Sequence, residues 1–186
     1  EEDSLFKTMK GRVVYWNGGI TPDSLVVDKK MELISTQFWR NGYFYSFAQE
    51  NKFQYKSFNE VKSDKNLLNG FYDYINSRSK PTLPGQKELI DLEKNISSLD
   101  STNTTARKAL NTLTDFYSKK IAEKTNAESE EMNQLLLLEF AGLFNGPEGR
   151  IEESFANDLV LNTAKSIVEN KNLFITTISN DQIIEN

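Results

Sequence analysis

The chain has 186 residues, 38% of them hydrophobic, and a formal charge of −5 from 22 Lys and Arg against 27 Asp and Glu. That length and apolar content suffice for one globular domain with a substantial core. Cysteine is absent and so is histidine, which removes disulfides, thiolate nucleophiles, zinc–thiolate sites, imidazole bases, histidine-ligated haem and the Glu-x-x-His di-iron pair.

The charge is unevenly placed. Residues 1–80 carry twelve basic and ten acidic side chains, residues 81–186 ten and seventeen. No basic field of the kind that follows phosphates is present, so no nucleic-acid partner is expected. The sequence starts at Glu1 and not at Met, which suggests a processed or excised piece with any signal peptide or anchor outside it. An extracytoplasmic setting (periplasmic, cell surface or secreted) is the expectation, although the lack of Cys is compatible with either side of a membrane. The triplets Asn95-Ile96-Ser97 and Asn103-Thr104-Thr105 match the glycosylation acceptor spelling, which an Asn-, Ser- and Thr-rich chain also produces by chance.

Residues 12–16, RVVYW, are β-branched and aromatic and run into Asn17-Gly18-Gly19, so a short strand followed by a turn is expected. After Pro22, Asp23 or Ser24 could cap a helix that continues through Leu25, Val26, Met31, Leu33, Ile34, Phe38 and Trp39. From Phe38 to Phe58 the chain is dense in rings. Tyr43 to Phe47 and Phe53 to Lys56 fit the two strands of a hairpin across Gln49 to Lys52, and fit equally a continuing helix with Gly42 inside it.

Beyond that point the period is helical. Val61, Leu67, Leu68, Phe71, Tyr74 and Ile75 recur at three- and four-residue steps, ended by a two-proline loop over residues 77–84. Leu89, Leu92, Ile96 and Leu99 have the spacing of a helix–helix seam, and Ala106, Ala109, Leu110, Leu113, Tyr117 and Ile121 repeat it after the possible N-cap oxygens of residues 101–105. These two helices should lie antiparallel. Residues 132–144 are apolar on nearly every side, with Ser129 as a possible N-cap, Glu128, Glu130 and Glu131 in the first turn, and Asn145-Gly146-Pro147 as the stop. Such a helix should form the centre of a bundle. It does not span a membrane, because the run is shorter than the roughly 20 residues required and Glu139 interrupts it. Ile151 to Val168 predicts one more amphipathic helix with a register break near Leu161. Residues 170–172 should end it, and Leu173 to Ile178 suits a strand or an extended strap.

The expected architecture is therefore a mainly α single domain over residues 1–186. An aromatic-rich part, 1–58, with room for a short β-hairpin, leads into an antiparallel bundle of about five helices over 59–186.

Few motifs carry chemistry. Ser4-x-x-Lys7 and Ser77-x-x-Lys80 match a nucleophile-pair spelling without its companion motifs. Asp64 to Gly70 departs from a calcium loop, with Leu at the fifth position and glycine one place late. No glycine-rich phosphate loop occurs, and no metal or cofactor is expected. Glu139, alone in an apolar helix, is either a buried acid or, as charged residues seldom go unpaired inside a protein, the partner of a Lys or Arg or a group on a wet face.

The binding-type cluster is the aromatic region. Fifteen of the 21 aromatic residues precede residue 76. Trp16, Asn17, Trp39, Arg40, Asn41, Tyr43 and Tyr45 combine flat apolar walls with polar tips and one guanidinium suited to a carboxylate. The same rings would also serve simply as core. The expectation is a non-enzymatic recognition module, the soluble part of a sensor or surface protein, for a small-molecule ligand or a protein partner. Two alternatives are an inhibitor or immunity-type protein acting through the acidic stretch Glu128 to Glu153, and a carboxylate-dependent hydrolase with two acids facing one cleft.

Overall fold

Helical period dominates the sequence, and the computed structural model is mainly α with very little strand. It describes residues 4–7, 9, 13–16, 22, 24–27, 29–78 and 80–179, with 4, 5 and 13–16 described by backbone alone. Two compact units result: residues 30–153 form one, residues 1–29 with 154–186 the other. Among the described residues no helix is long and apolar enough to cross a membrane.

The larger unit opens with four short helices: α1 (Leu33–Arg40), α2 (Tyr43–Asn51), α3 (Phe58–Ser63) and α4 (Leu67–Asn76). Helix α1 does not begin near Ser24 as its sequence suggests, since residues 24–27 and 29–32 are not helical. Its first turn is fixed from a distance, by a carboxylate described below. Gly42, at φ 70°, separates α1 from α2 in the left-handed region that glycine enters at little cost. The hairpin alternative for residues 43–56 is not realised: α2 is followed by a 3-10 turn, Lys52–Gln54. Phe44, Phe47 and Ala48 are buried at helical spacing, whereas Phe53, at the start of the expected second strand, is 92% exposed. A strand would have sent Phe44 and Phe47 to opposite faces.

The reason lies in the core these rings meet. Phe71 of α4 stacks on Phe44, with centroids 4.8 Å apart. It stands edge-on to Phe38 at 5.8 Å and to Phe47 at 5.5 Å. Each such pair contributes about 0.5–1.5 kcal/mol beyond area burial. Phe47 and Tyr55 in turn meet Phe140 edge-on.

Phe140 belongs to α7 (Ser129–Ser154), the helix expected at the centre. Only one stripe of it is fully buried: Met132, Leu136, Phe140 and Ala141. Leu135, Leu137, Leu143 and Phe144 pack half-buried along the margins. The helix is one wall of an aromatic core, not its axle. Glu128, not Ser129, holds the cap position, because its carbonyl accepts from Met132 N at 3.0 Å.

The expected stop at residues 145–147 is realised as a break between two helical arms of α7. Gly146 adopts φ 72°, ψ −169°, a region essentially restricted to glycine. Pro147 then starts the second arm. In a straight helix Glu139 and Arg150 would lie about 16 Å apart along the axis. Here Arg150 Nη2 donates to Glu139 Oε1 at 2.9 Å and Nη1 to Oε2 at 2.5 Å. A Cβ on Gly149 would collide with the Asn145 Cβ and sit 3.2 Å from the Ala141 carbonyl oxygen, so close approach of the two arms requires glycine there.

Helices α5 (Gln86–Leu99) and α6 (Thr104–Ala127) pair across a short turn. Asn103 Oδ1 accepts from Ala106 N at 2.9 Å, one of the N-caps expected for residues 101–105. The Tyr117 hydroxyl donates to the Pro84 carbonyl at 3.1 Å, a cross-link between the middle of α6 and the start of α5 that marks them as antiparallel. The seam is only partly used: Leu89 and Leu110 are buried, while Leu92 and Leu99 are exposed. The rest of the seam spacing on α5 faces water, wholly or in part.

The smaller unit contains the antiparallel strands β1 (Ser4–Lys7) and β2 (Val13–Trp16), in register Ser4 with Trp16 and Lys7 with Val13. This is the strand expected from RVVYW; the turn expected at residues 17–19 lies outside the described residues. The unit also contains α8 (Leu159–Glu169) and α9 (Lys171–Ser179), which pack on each other. The break expected near Leu161 falls earlier, at a 3-10 turn over Phe155–Asn157. Asp158 then caps α8, accepting from Leu161 N at 2.8 Å. Residues 173–178 are helix and not strand. Asn170, read as a breaker, accepts from Asn172 N and Leu173 N, both at 3.1 Å, and so starts α9.

Candidate functional site

The described residues of the larger unit enclose a cavity of about 430 Å³. Phe38 from α1 and Tyr72 and Ile75 from α4 supply apolar wall. Asn76, Lys80, Pro81 and Gln86 contribute from the end of α4, the two-proline loop and the first residue of α5. Helix α6 closes it with Ser118, Ile121, Ala122, Thr125 and Asn126. The last set explains why space is left. Ser118, Ala122 and Thr125 follow one another at i, i+4 and i+7, so small side chains share one helix face and the neighbouring elements meet across a gap.

Polar capacity at the cavity is largely unused within the protein. The Tyr72 hydroxyl donates weakly to the Thr125 carbonyl at 3.4 Å, and Gln86 Oε1 accepts from Leu83 N. Among the described residues, the side chains of Asn76, Lys80, Ser118, Thr125 and Asn126 have no such partner. Lys80 is the one charged side chain among the described residues that line the cavity. Burial raises the Tyr72 hydroxyl above its ordinary pKa, and the negative charge of Glu128 adds to the effect.

Glu128 is the residue that positions α1 against this cavity. It is buried, 4% exposed, at the junction of α6 and α7. Its carboxylate accepts from Ser35 N at 2.7 Å, from Ser35 Oγ at 3.0 Å and from Ile34 N at 3.2 Å. Glu131 Oε2 accepts from Glu32 N at 3.0 Å. Three N–H groups at the start of α1 are thus satisfied by acids more than ninety residues away, where a negative charge also suits the helix dipole. No side chain near Leu33 in sequence caps α1, which explains why local pattern misplaces its start.

Of the aromatic and Arg40 cluster, Trp39, Arg40, Asn41, Tyr43 and Tyr45 are not among the residues that line this cavity. Trp39, Arg40, Asn41 and Tyr45 are exposed at the end of α1 and on α2, with Trp39 52% and Tyr45 48% accessible. Tyr43 is half-buried and meets Phe38 and Tyr74. Trp16 ends β2, in the other unit, and Asn17 lies outside the described residues. The core reading fits most of the aromatic segment: Phe38, Phe44, Phe47 and Phe71 are buried together. Of the residues that line the cavity, Lys80 drew notice in the sequence only through the Ser77-x-x-Lys80 spelling and not as part of a binding site. The small-residue spacing on α6 was the available signal for the rest.

The other motifs have structural employment. Glu139 is paired with Arg150, whose guanidinium is held above its ordinary pKa mainly by that hydrogen bonding. Glu153 pairs with Lys62 at 2.6 Å. Asp64 accepts from the Tyr55 hydroxyl at 2.6 Å and from Asn66 N at 2.8 Å. Burial and Asp64 push Tyr55 up to about 12. The Ser77 hydroxyl donates to the Tyr74 carbonyl at 2.8 Å. Among the described residues no group of three acids is placed to hold a metal ion.

Fold and site together define a class: a mainly α protein with a ligand-sized, partly apolar cavity between α1, α4 and α6. Comparison with protein-family models, with curated proteins and with solved structures gave no match.

Proposed function

We propose that the chain is a recognition module that holds a small ligand in the cavity between α1, α4 and α6. The observation that carries this reading is the combination of about 430 Å³ of space, an apolar wall of Phe38, Ile75 and Ile121, and polar side chains without protein partners at the same place. Small-molecule sites typically occupy about 300–1,000 Å³ and join apolar lining to a few polar groups. A helix or a folded partner needs a longer groove.

The inhibitor reading has less support, since Glu128, Glu131, Glu139 and Glu153 of the acidic stretch all bond within the protein. The hydrolase reading is similarly weakened, because Glu139 and Glu153 each face a cation and not a second acid.

The test uses N-phenyl-1-naphthylamine, an uncharged aromatic probe whose fluorescence rises out of water. At about 0.3 kcal/mol per heavy atom, a dissociation constant of a few hundred micromolar is expected. Ala122→Trp at the accessible edge of the cavity should fill it and weaken binding by about tenfold or more, with the far-UV circular dichroism unchanged. Equal binding by the two proteins would remove the proposal.

A further inference from the structure

We infer that the cavity selects an amphipathic organic anion, its charged group held by Lys80 and its apolar body against Phe38, Ile75 and Ile121. The inference rests on the small-ligand reading above and gives it a chemical class.

Among the described residues, Lys80 is the only charged group on the lining. Among the same residues it is an exposed cation with no acidic partner, a state it shares with other surface lysines, and its place on the lining sets it apart. An ammonium beside an apolar wall and without a counterion attracts a carboxylate, sulfonate or phosphate ester more than a neutral group of the same shape. It also disfavours a cationic ligand.

Position within the cavity follows from the second charge nearby. Glu128 lies close enough to Tyr72 to act on its hydroxyl, so an anion placed beside Tyr72 would be opposed. The charged group therefore belongs beside Lys80. Asn76 lies four residues before Lys80 and lines the same cavity, offering an amide donor without a protein partner. Phe38 and Ile75, 2% and 3% exposed, form a fixed floor that offers little surface of its own, so most of the apolar contact comes from the half-buried Tyr72 and Ile121 in front of it. A fixed floor reduces the ordering cost of binding.

The experiment compares two probes with the same aromatic body, 8-anilino-1-naphthalenesulfonate and N-phenyl-1-naphthylamine, by fluorescence titration of the full chain. Variants are Lys80→Met, Lys80→Arg and Ala122→Trp, at low and high salt. The sulfonate should bind about three- to tenfold more tightly than the neutral probe, the range for a charge-assisted contact on a partly exposed cation. Lys80→Met should abolish that preference and Lys80→Arg should keep it. Added salt should weaken the sulfonate alone. A neutral probe bound as tightly as the sulfonate, or a preference that survives Lys80→Met, overturns the inference while leaving the cavity as the site, provided Ala122→Trp blocks both probes. If Ala122→Trp blocks neither, the small-ligand reading itself fails and the inference falls with it.

Discussion

Replacing Glu128 is the most demanding test of how this fold is held together. The substitution Glu128→Ala removes one carboxylate and leaves three donors without it: Ile34 N, Ser35 N and Ser35 Oγ. Ile34 and Ser35 are both 0% exposed, so water does not replace the lost acceptor. A buried donor left unmade costs about 1–3 kcal/mol, and loss of an N-cap by itself about 1 kcal/mol. The Ser35 hydroxyl can rotate away, whereas the two amides cannot. The expected loss is therefore about 3–5 kcal/mol, a fifth or more of the roughly 5–15 kcal/mol that holds an ordinary domain together.

Glu128→Gln keeps the shape and one acceptor but turns an amide group towards donors, and should cost about 1–3 kcal/mol. Ser35→Ala leaves the carboxylate its two amide donors and should cost about 1 kcal/mol. Glu131→Gln acts on an exposed bond and should stay within about 0.5 kcal/mol. The measurement is urea unfolding followed by Trp39 fluorescence in a Trp16→Phe background, since Trp39 lies on the capped helix itself. A loss below about 1 kcal/mol for Glu128→Ala, or a larger effect at Glu131 than at Glu128, would refute the claim that a remote carboxylate sets where α1 starts.

Three further outcomes follow from the geometry. Arg150→Met leaves Glu139, whose side chain is 11% exposed, without its cation. It should destabilise by about 1–3 kcal/mol, less than for a fully buried pair because Arg150 is partly in water, and Glu139→Gln in the same protein should recover part of the loss. A double variant no better than Arg150→Met would show that the pair is not what joins the arms of α7. Gly149→Ala drives a Cβ into the Asn145 Cβ; since a Cβ cannot rotate away, the backbone must shift, and a loss of about 2 kcal/mol or more in denaturant stability is expected. Unchanged stability would mean that the arms do not meet as described. The Tyr55 hydroxyl has its pKa raised from 10.0 to about 12, so the folded state favours the protonated form. Its contribution is complete below pH 10 and is lost as pH rises towards 12. Tyr55→Phe should therefore reduce the fall in urea midpoint across that window, and an identical fall in both proteins would contradict the assignment.

Much of the secondary structure was legible because it depends on neighbours in sequence. The steps through Val61 to Ile75, the caps at residues 101–105 and the stop at 145–147 all reflect interactions within a turn or two. Glu139 was readable as the partner of a cation because an unpaired charge in that helix would be costly. The aromatic segment was legible as core material but not as helix. Period two and period 3.6 fit residues 43–56 about equally well, and only Phe71, arriving from α4, decides for the helix by accepting Phe44 and Phe47 on one side.

What the sequence by itself determined is the helical class, the positions where the chain must stop or turn, and the absence of thiol and imidazole chemistry. These follow from residue identity and local spacing, which act within a few ångströms along one element. Tertiary structure alone decided where α1 begins, since its cap comes from Glu128. It also decided how far α7 bends, since Arg150 must reach Glu139, and which stretches enclose the cavity, since Phe38, Lys80 and Ala122 are distant in sequence. Periodicity reports that a helix has an apolar face. It carries no information on which face of which other helix will meet it, because that choice depends on shape and charge brought together only when the chain has folded.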